Sequence, residues 1–128
     1  MEGLIMKDRE KVYGVGKNDA DYNVTSCTNE SGKRRLAWFC PFYRAWIGML
    51  KRCYSATFQA EHPTYIDCTV TPEWHSFSAF RAWMIEQDWE GKELDKDILL
   101  PGNKVYSPET CVFVSGALNN FLIDSGAS

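Results

Sequence analysis

The sequence predicts a small α+β domain in which two amphipathic helices pack against a C-terminal unit of strand, loop, strand and helix. Two apolar stripes at helical spacing predict the helices over residues 41–54 and 72–87. Between residues 94 and 123, short apolar runs alternate with turn-forming residues, which indicates the strands and a last helix. With 128 residues, the chain suits one domain over residues 12–128, after a polar lead-in over 1–11 that we expect to be flexible.

Strands are also expected on either side of the first helix. Residues 22–27 and 36–39 have the composition of two hairpin arms around a turn-forming run at 29–33. Residues 65–70 are rich in β-forming side chains and predict a further strand between the two helices.

The first helix begins at Pro41, a residue that is well placed in a first helical turn. Its apolar positions form one stripe: Phe42, Trp46, Met49, Leu50 and Cys53. At 100° per residue, Arg44, Lys51 and Arg52 occupy the opposite side. This pattern is typical of an ordinary surface helix, and it also suits a helix that contacts phosphate groups.

The second helix has its start signal at Thr71, as the capping residue, followed by Pro72 and Glu73. Its aromatic stripe predicts a core face and not a platform on which bases stack. Together with the first stripe and the apolar strand positions, it predicts a core built from Phe42, Trp46, Leu50, Phe77, Phe80, Trp83, Ile98, Val112, Val114 and Leu118.

Charge is unevenly distributed along the chain. The formal net charge is −3, which argues against a protein that binds nucleic acid over its whole surface. Residues 31–60, however, contain basic residues and no acidic ones, whereas residues 61–100 are strongly acidic. The two regions either neutralise each other or leave a basic face, for which the candidate nucleic-acid-binding residues are Arg34, Arg35, Arg44, Lys51 and Arg52.

The C-terminal unit offers a candidate metal site. In a strand over residues 94–100, Asp95 and Asp97 share one face because side chains alternate. With Asn103 in the following turn and Asn119 in the last helix, they would provide oxygen ligands for Mg²⁺ or Mn²⁺. The alternative is that both carboxylates bond turn amides or pair with Lys96 or a nearby arginine, as structural carboxylates do.

The five cysteines are expected to be reduced and free of disulfides. The N-terminus has no signal-peptide pattern and no apolar run is long enough to span a membrane, which indicates a cytoplasmic protein. Four cysteines near the predicted element ends are candidate ligands for a structural zinc: Cys40, Cys53, Cys68 and Cys111. No C-x-x-C pair is present, so buried free thiols are the favoured interpretation.

The C-terminal unit resembles the ββα-metal core of HNH-type nucleases, in the variant common in phage and mobile-element proteins. The shared features are Asp95-x-Asp97, Gly102-Asn103-x-x-Tyr106-Ser107-Pro108-Glu109-x-Cys111 and the Asn119-Asn120 pair. Upstream, Trp46-x-x-Met49-Leu50-x-Arg52-Cys53-Tyr54 and Glu73-Trp74-x-x-Phe77-x-x-Phe80 resemble segments that precede this core. The resemblance implies that the two helices pack on a degenerate, HNH-like ββα core.

The resemblance also implies the chemistry. HNH nucleases use a histidine at the end of the first strand as general base, and here Lys96 follows Asp95 at that position. The implied catalytic positions are Asp95, Lys96 and Asp97, in a phage-type nucleic-acid-binding protein with weak or lost nuclease activity.

Two alternatives to this function stay open. One is a phage-encoded protein that binds and inhibits a host defence or nucleic-acid-processing protein. The other is an active metal-dependent DNA endonuclease that uses Asp95 and Asp97. The expected partner is therefore DNA or a host protein, in the host bacterial cytoplasm if the chain is phage-encoded.

Overall fold

Three α-helices and three two-stranded β-sheets make up residues 11–116, the part of the chain that the computed structural model describes. This is the small mixed α/β domain that the sequence predicts. The expected lead-in, apart from Lys11, and the expected last helix, apart from Gly116, lie outside the described residues, as do Leu118 and Asn119.

The predicted hairpin is present, but its first arm lies three residues later than expected and its second arm is longer. Strand β1 (Thr25–Glu30) pairs antiparallel with β2 (Lys33–Phe39). The turn contains only Ser31 and Gly32, at φ 53° and 75°, and two left-handed residues match the twist of a tight hairpin. Residues 29, 30 and 33, which the sequence assigned to the loop, therefore belong to the strands.

The first helix has the bounds that the sequence predicts. Helix α1 (Pro41–Tyr54) buries Trp46, Met49 and Leu50 completely. A short helix that the sequence analysis missed, α2 (Ala56–Glu61), follows it directly. Its cap is Ser55, whose hydroxyl accepts a 3.1 Å hydrogen bond from the amide of Phe58.

The strand predicted over residues 65–70 is mostly wrong. A 3₁₀ turn occupies Pro63–Tyr65, and Asp67 adopts a left-handed φ of 75°. Only β3 (Thr69–Val70) is extended, because the backbone before it turns twice.

The helix predicted over residues 72–87 is divided into two parts. A 3₁₀ turn (Pro72–His75) and helix α3 (Phe77–Met84) flank Ser76, which is extended at φ −89° and ψ 124°. At this break the backbone amide of Lys17, in the N-terminal segment, donates to the carbonyl of His75 at 2.7 Å. The backbone carbonyl of Lys17 accepts from the amide of Phe77 at 3.0 Å. The break therefore provides backbone groups that a continuous helix would have used internally.

The C-terminal unit contains three short strands: β4 (Lys92–Asp95), β5 (Val105–Tyr106) and β6 (Val112–Ser115). Strand β4 pairs antiparallel with β6, and β5 pairs parallel with β3. The strand predicted over residues 94–100 is wrong beyond Asp95, where the backbone turns away from β6.

The core lies between α1, α3 and the 3₁₀ turn before α3. Trp46, Trp74, Phe77 and Phe80 have no exposed surface. The indole Nε1 of Trp46 donates to the carbonyl of Trp74 at 2.8 Å, so the largest buried side chain also satisfies a buried backbone acceptor.

Of the predicted core, Trp46, Leu50, Phe77, Phe80 and Val114 are buried. Four others are only partly buried: Phe42, Trp83, Ile98 and Val112. Ile98 is partly exposed because it falls in the loop after β4, whereas the ring of Phe42 packs edge-on against Trp89 with centroids 4.9 Å apart. Trp74, which the sequence places in the aromatic stripe of the second helix, is fully buried as well.

Gly16 brings the N-terminal segment into close contact with α1. A Cβ atom at this position would lie 2.5 Å from Cδ1 of Leu50 and 2.8 Å from the ring of Trp46. Only glycine fits this approach without movement of the helix or of its core side chains.

Candidate functional site

Lys96 is the buried charge of the C-terminal unit. It follows β4 directly and is 6 % exposed. Its Nζ donates a 2.8 Å hydrogen bond to Oδ1 of Asp97 and lies 6.0 Å and 5.8 Å from the ring centroids of Tyr65 and Tyr106. The ammonium is thus held by one carboxylate and by the faces of two aromatic rings.

The structure does not bring Asp95 and Asp97 together as a pair of carboxylates on one strand face. Oδ2 of Asp95 accepts hydrogen bonds from the amides of Asp97 and Ile98, at 2.8 Å and 2.7 Å. Asp97 pairs with Lys96. Asp95 therefore fixes the turn that ends β4, which is the structural alternative that the sequence left open.

Asn103 is engaged within the loop that joins β4 to β6. Its Nδ2 donates to the carbonyls of Lys96 and Val105 and to Oγ1 of Thr110, at 3.0, 2.6 and 3.2 Å. Its Oδ1 accepts from the amide of Val105 at 3.1 Å. This side chain therefore stabilises the loop.

Among residues 11–116, no cluster of three or more histidine, cysteine, aspartate or glutamate side chains is arranged to hold a metal ion. Asn119, the fourth expected ligand, lies outside this range. Binding of Mg²⁺ or Mn²⁺ stays a prediction that rests on the resemblance.

The four cysteines proposed as zinc ligands do not converge. Cys40 and Cys53 lie at opposite ends of α1, about 20 Å apart at 1.5 Å per residue. Sγ of Cys40 is instead 3.0 Å from the hydroxyl of Tyr22. In the structure all five cysteines are free thiols, and only Cys27 is exposed.

The thiols near Lys96 are held in the protonated form. Burial, with a contribution from Cys68, raises the pKa of Cys53 to about 12, although the charges of Arg52 and Lys96 oppose the shift. Burial likewise raises the pKa of Cys111 to about 11. Protonated thiols are weak nucleophiles and weak metal ligands, so these cysteines act as core side chains at neutral pH.

Arg52 is half-buried beside the same cluster, unlike the other residues predicted for the basic face, which are exposed. Its guanidinium lies 5.9 Å from the ring centroid of Tyr106, and its Nη1 is buried without a hydrogen-bond partner. Burial raises the pKa of the Tyr106 hydroxyl, and the charge of Arg52 partly opposes that rise. Helical periodicity alone does not predict this position, because it places Arg52 beside Lys51 on the exposed side of α1.

The other predicted basic residues are exposed and fall into two groups. Arg34 and Arg35 lie on β2, whereas Arg44 and Lys51 lie on α1 over the rings of Phe39 and Phe58. Exposed apolar side chains, which the sequence did not predict, lie beside the first group. Leu36 is 57 % exposed and Trp38 is 45 % exposed.

Comparisons with protein-family models, with curated proteins and with solved structures give no match to this chain. Within the described residues, no helix combines the length and apolar character that crossing a bilayer requires.

Proposed function

We propose that this chain is an HNH-like nucleic-acid-binding domain in which nuclease activity is weak or lost. The observation that carries the proposal is the set of exposed cations on β2 and α1: Arg34, Arg35, Arg44 and Lys51. They come from a 30-residue stretch without an acidic residue, in a chain whose net charge is −3. A local concentration of arginine and lysine on an otherwise acidic protein suits a polyanion.

The order of elements around Lys96 supports the HNH-like part of the proposal. Strands β4 and β6 pair antiparallel around a connection that contains β5, and Gly116, directly after β6, has helical backbone. This is the order of the first elements of a ββα unit, in which Lys96 stands where the general base is expected.

The environment of Lys96 supports weak or lost catalysis. Hydrolysis of a phosphodiester by this route needs a base to deprotonate water and a cation to stabilise the leaving oxygen. An ammonium paired with Asp97 has no free lone pair and repels a metal ion. Loss of the general base alone slows such a reaction about 10²–10⁴-fold.

A gel-shift titration with a labelled DNA duplex over a range of salt concentrations tests the binding. We expect affinity to fall steeply as salt rises, and Arg34→Ala/Arg35→Ala to bind more weakly than the wild type. Lys17→Ala is the control, because Lys17 is an exposed cation outside this stretch. The absence of any salt-dependent shift at low ionic strength would contradict the proposal.

Plasmid cleavage with Mg²⁺ or Mn²⁺ tests the catalytic part. We expect the wild type to cleave little, and Lys96→His is the substitution that would restore a base at this position. Rapid cleavage by the wild type that Asp97→Ala abolishes would support instead an active endonuclease in which the carboxylates act.

The second candidate is an interaction protein that binds and inhibits a host protein. The exposed Leu36 and Trp38 favour it, because apolar side chains beside arginine are common in protein interfaces. A partner that binds the chain without salt dependence, together with no DNA shift, would support this candidate over the first.

A further inference from the structure

We propose that the β1–β2 hairpin, called the ribbon here, enters the major groove of duplex DNA and places one face against the base edges. The face is formed by Cys27, Asn29, Arg34 and Leu36, called the Asn29–Arg34 face. This inference rests on the proposed nucleic-acid-binding function and names its substrate class and contact surface.

The ribbon has little contact with the rest of the domain. Residues 26–29 and 33–38 are all exposed, so neither face of the ribbon is covered along most of its length. At its base, the amide of Cys40 donates to the carbonyl of Val24 at 2.7 Å, and Phe39 is half-buried beside α1. The ribbon is therefore attached at one end and accessible on both sides.

The strand register defines the proposed face. Asn29 pairs with Arg34, and Cys27 pairs with Leu36. Because directly opposed residues share a face and side chains alternate, these four lie together. The opposite face near the turn carries the pair of Thr28 with Arg35.

The dimensions and charge of the ribbon suit duplex DNA. The major groove is about 12 Å wide and admits a two-stranded β-ribbon, whose strands lie about 4.8 Å apart. Lys33, Arg34 and Arg35 are consecutive after the turn, and Glu30 is the register partner of Lys33, so the end that projects from the domain has a net positive charge. A second copy of this acidic chain could also be attracted to this basic surface. The major groove, however, lies between two phosphate backbones and matches both the shape and the charge of the ribbon.

The chemistry of the face suits base recognition. Arginine donates two hydrogen bonds to guanine, and asparagine pairs with the adenine edge. Leu36 is apolar and 57 % exposed, which suits contact with a thymine methyl group. A shallow depression lined by Cys27, Asn29 and Arg34, among others, runs along β1 beside this face.

Fluorescence anisotropy with a labelled mixed-sequence duplex, and with one of its single strands, tests the inference. We expect Arg34→Ala to weaken duplex binding about 5- to 150-fold. Lys51→Ala removes another exposed positive charge, from α1, and we expect it to weaken binding by less than Arg34→Ala does. Equal effects of the two variants, or equal affinity of the wild type for the single strand, would overturn the inference.

Labelling of Cys27 with a maleimide gives an independent readout, because the other four cysteines are buried. We expect saturating duplex to slow labelling of the native protein several-fold. Unchanged labelling in a complex that does form would place DNA elsewhere and overturn the ribbon inference while the proposed function stands. Protection that rises with protein concentration in the absence of DNA would show a second copy on this face, which also overturns it. If the wild type binds no duplex, the proposed function itself fails. Thermal unfolding of each variant checks that the fold is intact.

Discussion

The core around α1 and the β1–β2 ribbon are both rich in apolar and aromatic side chains, yet they differ completely in exposure. Trp46 and Phe77 have no accessible surface, whereas Leu36 and Trp38 expose about half of theirs. In the core, each apolar stripe meets another stripe, whereas the ribbon meets no other described element along most of its length. Apolar residues on α1 therefore stabilise the fold, whereas those on β2 stay exposed to solvent.

The largest expected effect contrasts two tryptophans. Trp46→Ala should lower the free energy of unfolding by about 3–5 kcal/mol, because it leaves a cavity and removes the hydrogen bond to the Trp74 carbonyl. Trp38→Ala should change it by about 0.5 kcal/mol or less. Urea unfolding followed by circular dichroism measures both, and a similar loss for the two would mean that the ribbon is packed against something.

Two glycines differ in the same way, because one is in close contact with the core and the other is not. Gly16→Ala should destabilise the fold by about 1–3 kcal/mol, because its Cβ would overlap Leu50 and Trp46. Gly48→Ala, in the interior of α1, should stabilise it by about 0.5–1 kcal/mol, because the nearest atom to a Cβ there is 3.9 Å away, at the end of the Arg52 side chain. Both substitutions add the same methyl group, and urea unfolding of the two variants measures their effects. We expect the changes in the free energy of unfolding to have opposite signs.

The buried charge gives an asymmetric prediction. Asp97→Ala should cost about 1–3 kcal/mol, because it leaves the Lys96 ammonium buried without its carboxylate. Lys96→Met should cost less, because Asp97 is 43 % exposed and water can solvate it. If denaturant midpoints show the lysine variant to be the less stable one, the ammonium contributes more to the loop than this pair explains.

The smallest expected effect depends on pH. Burial raises the pKa of Asp19, but hydrogen bonds from Ser76 and Ser78 outweigh it and hold the pKa below its ordinary value of 3.8. A lowered pKa in the folded state means that the carboxylate stabilises the fold above the ordinary value and that this contribution is lost as pH falls below it.

Urea midpoints of the wild type and Asp19→Asn, measured at pH 7 and at about pH 3, test this contribution. We expect the wild type to be the more stable protein at pH 7 and the difference to shrink in acid. A difference that is independent of pH would mean that the charge of Asp19 has no role.

The sequence by itself determined helix α1 and the presence of the β1–β2 hairpin, because the signals for both lie within the elements themselves. The bounds of α1 follow from Pro41 at its start and from a stripe that repeats every three to four residues. The hairpin follows from β-forming arms around a turn with Gly32. The mixed α/β class follows from these periodicities together.

The tertiary structure decided the rest, because the deciding contacts come from residues distant in sequence. Helix α3 begins after Ser76 and not at Pro72, since Lys17 occupies the backbone groups on either side of the break. Gly16 is required by Leu50, which lies 34 positions later in the chain. The inward position of Arg52 is set by the ring of Tyr106, and that of Lys96 by Tyr65 and Tyr106. Periodicity fixes which way a side chain leaves its own helix or strand, but the neighbour it meets there depends on how the elements pack.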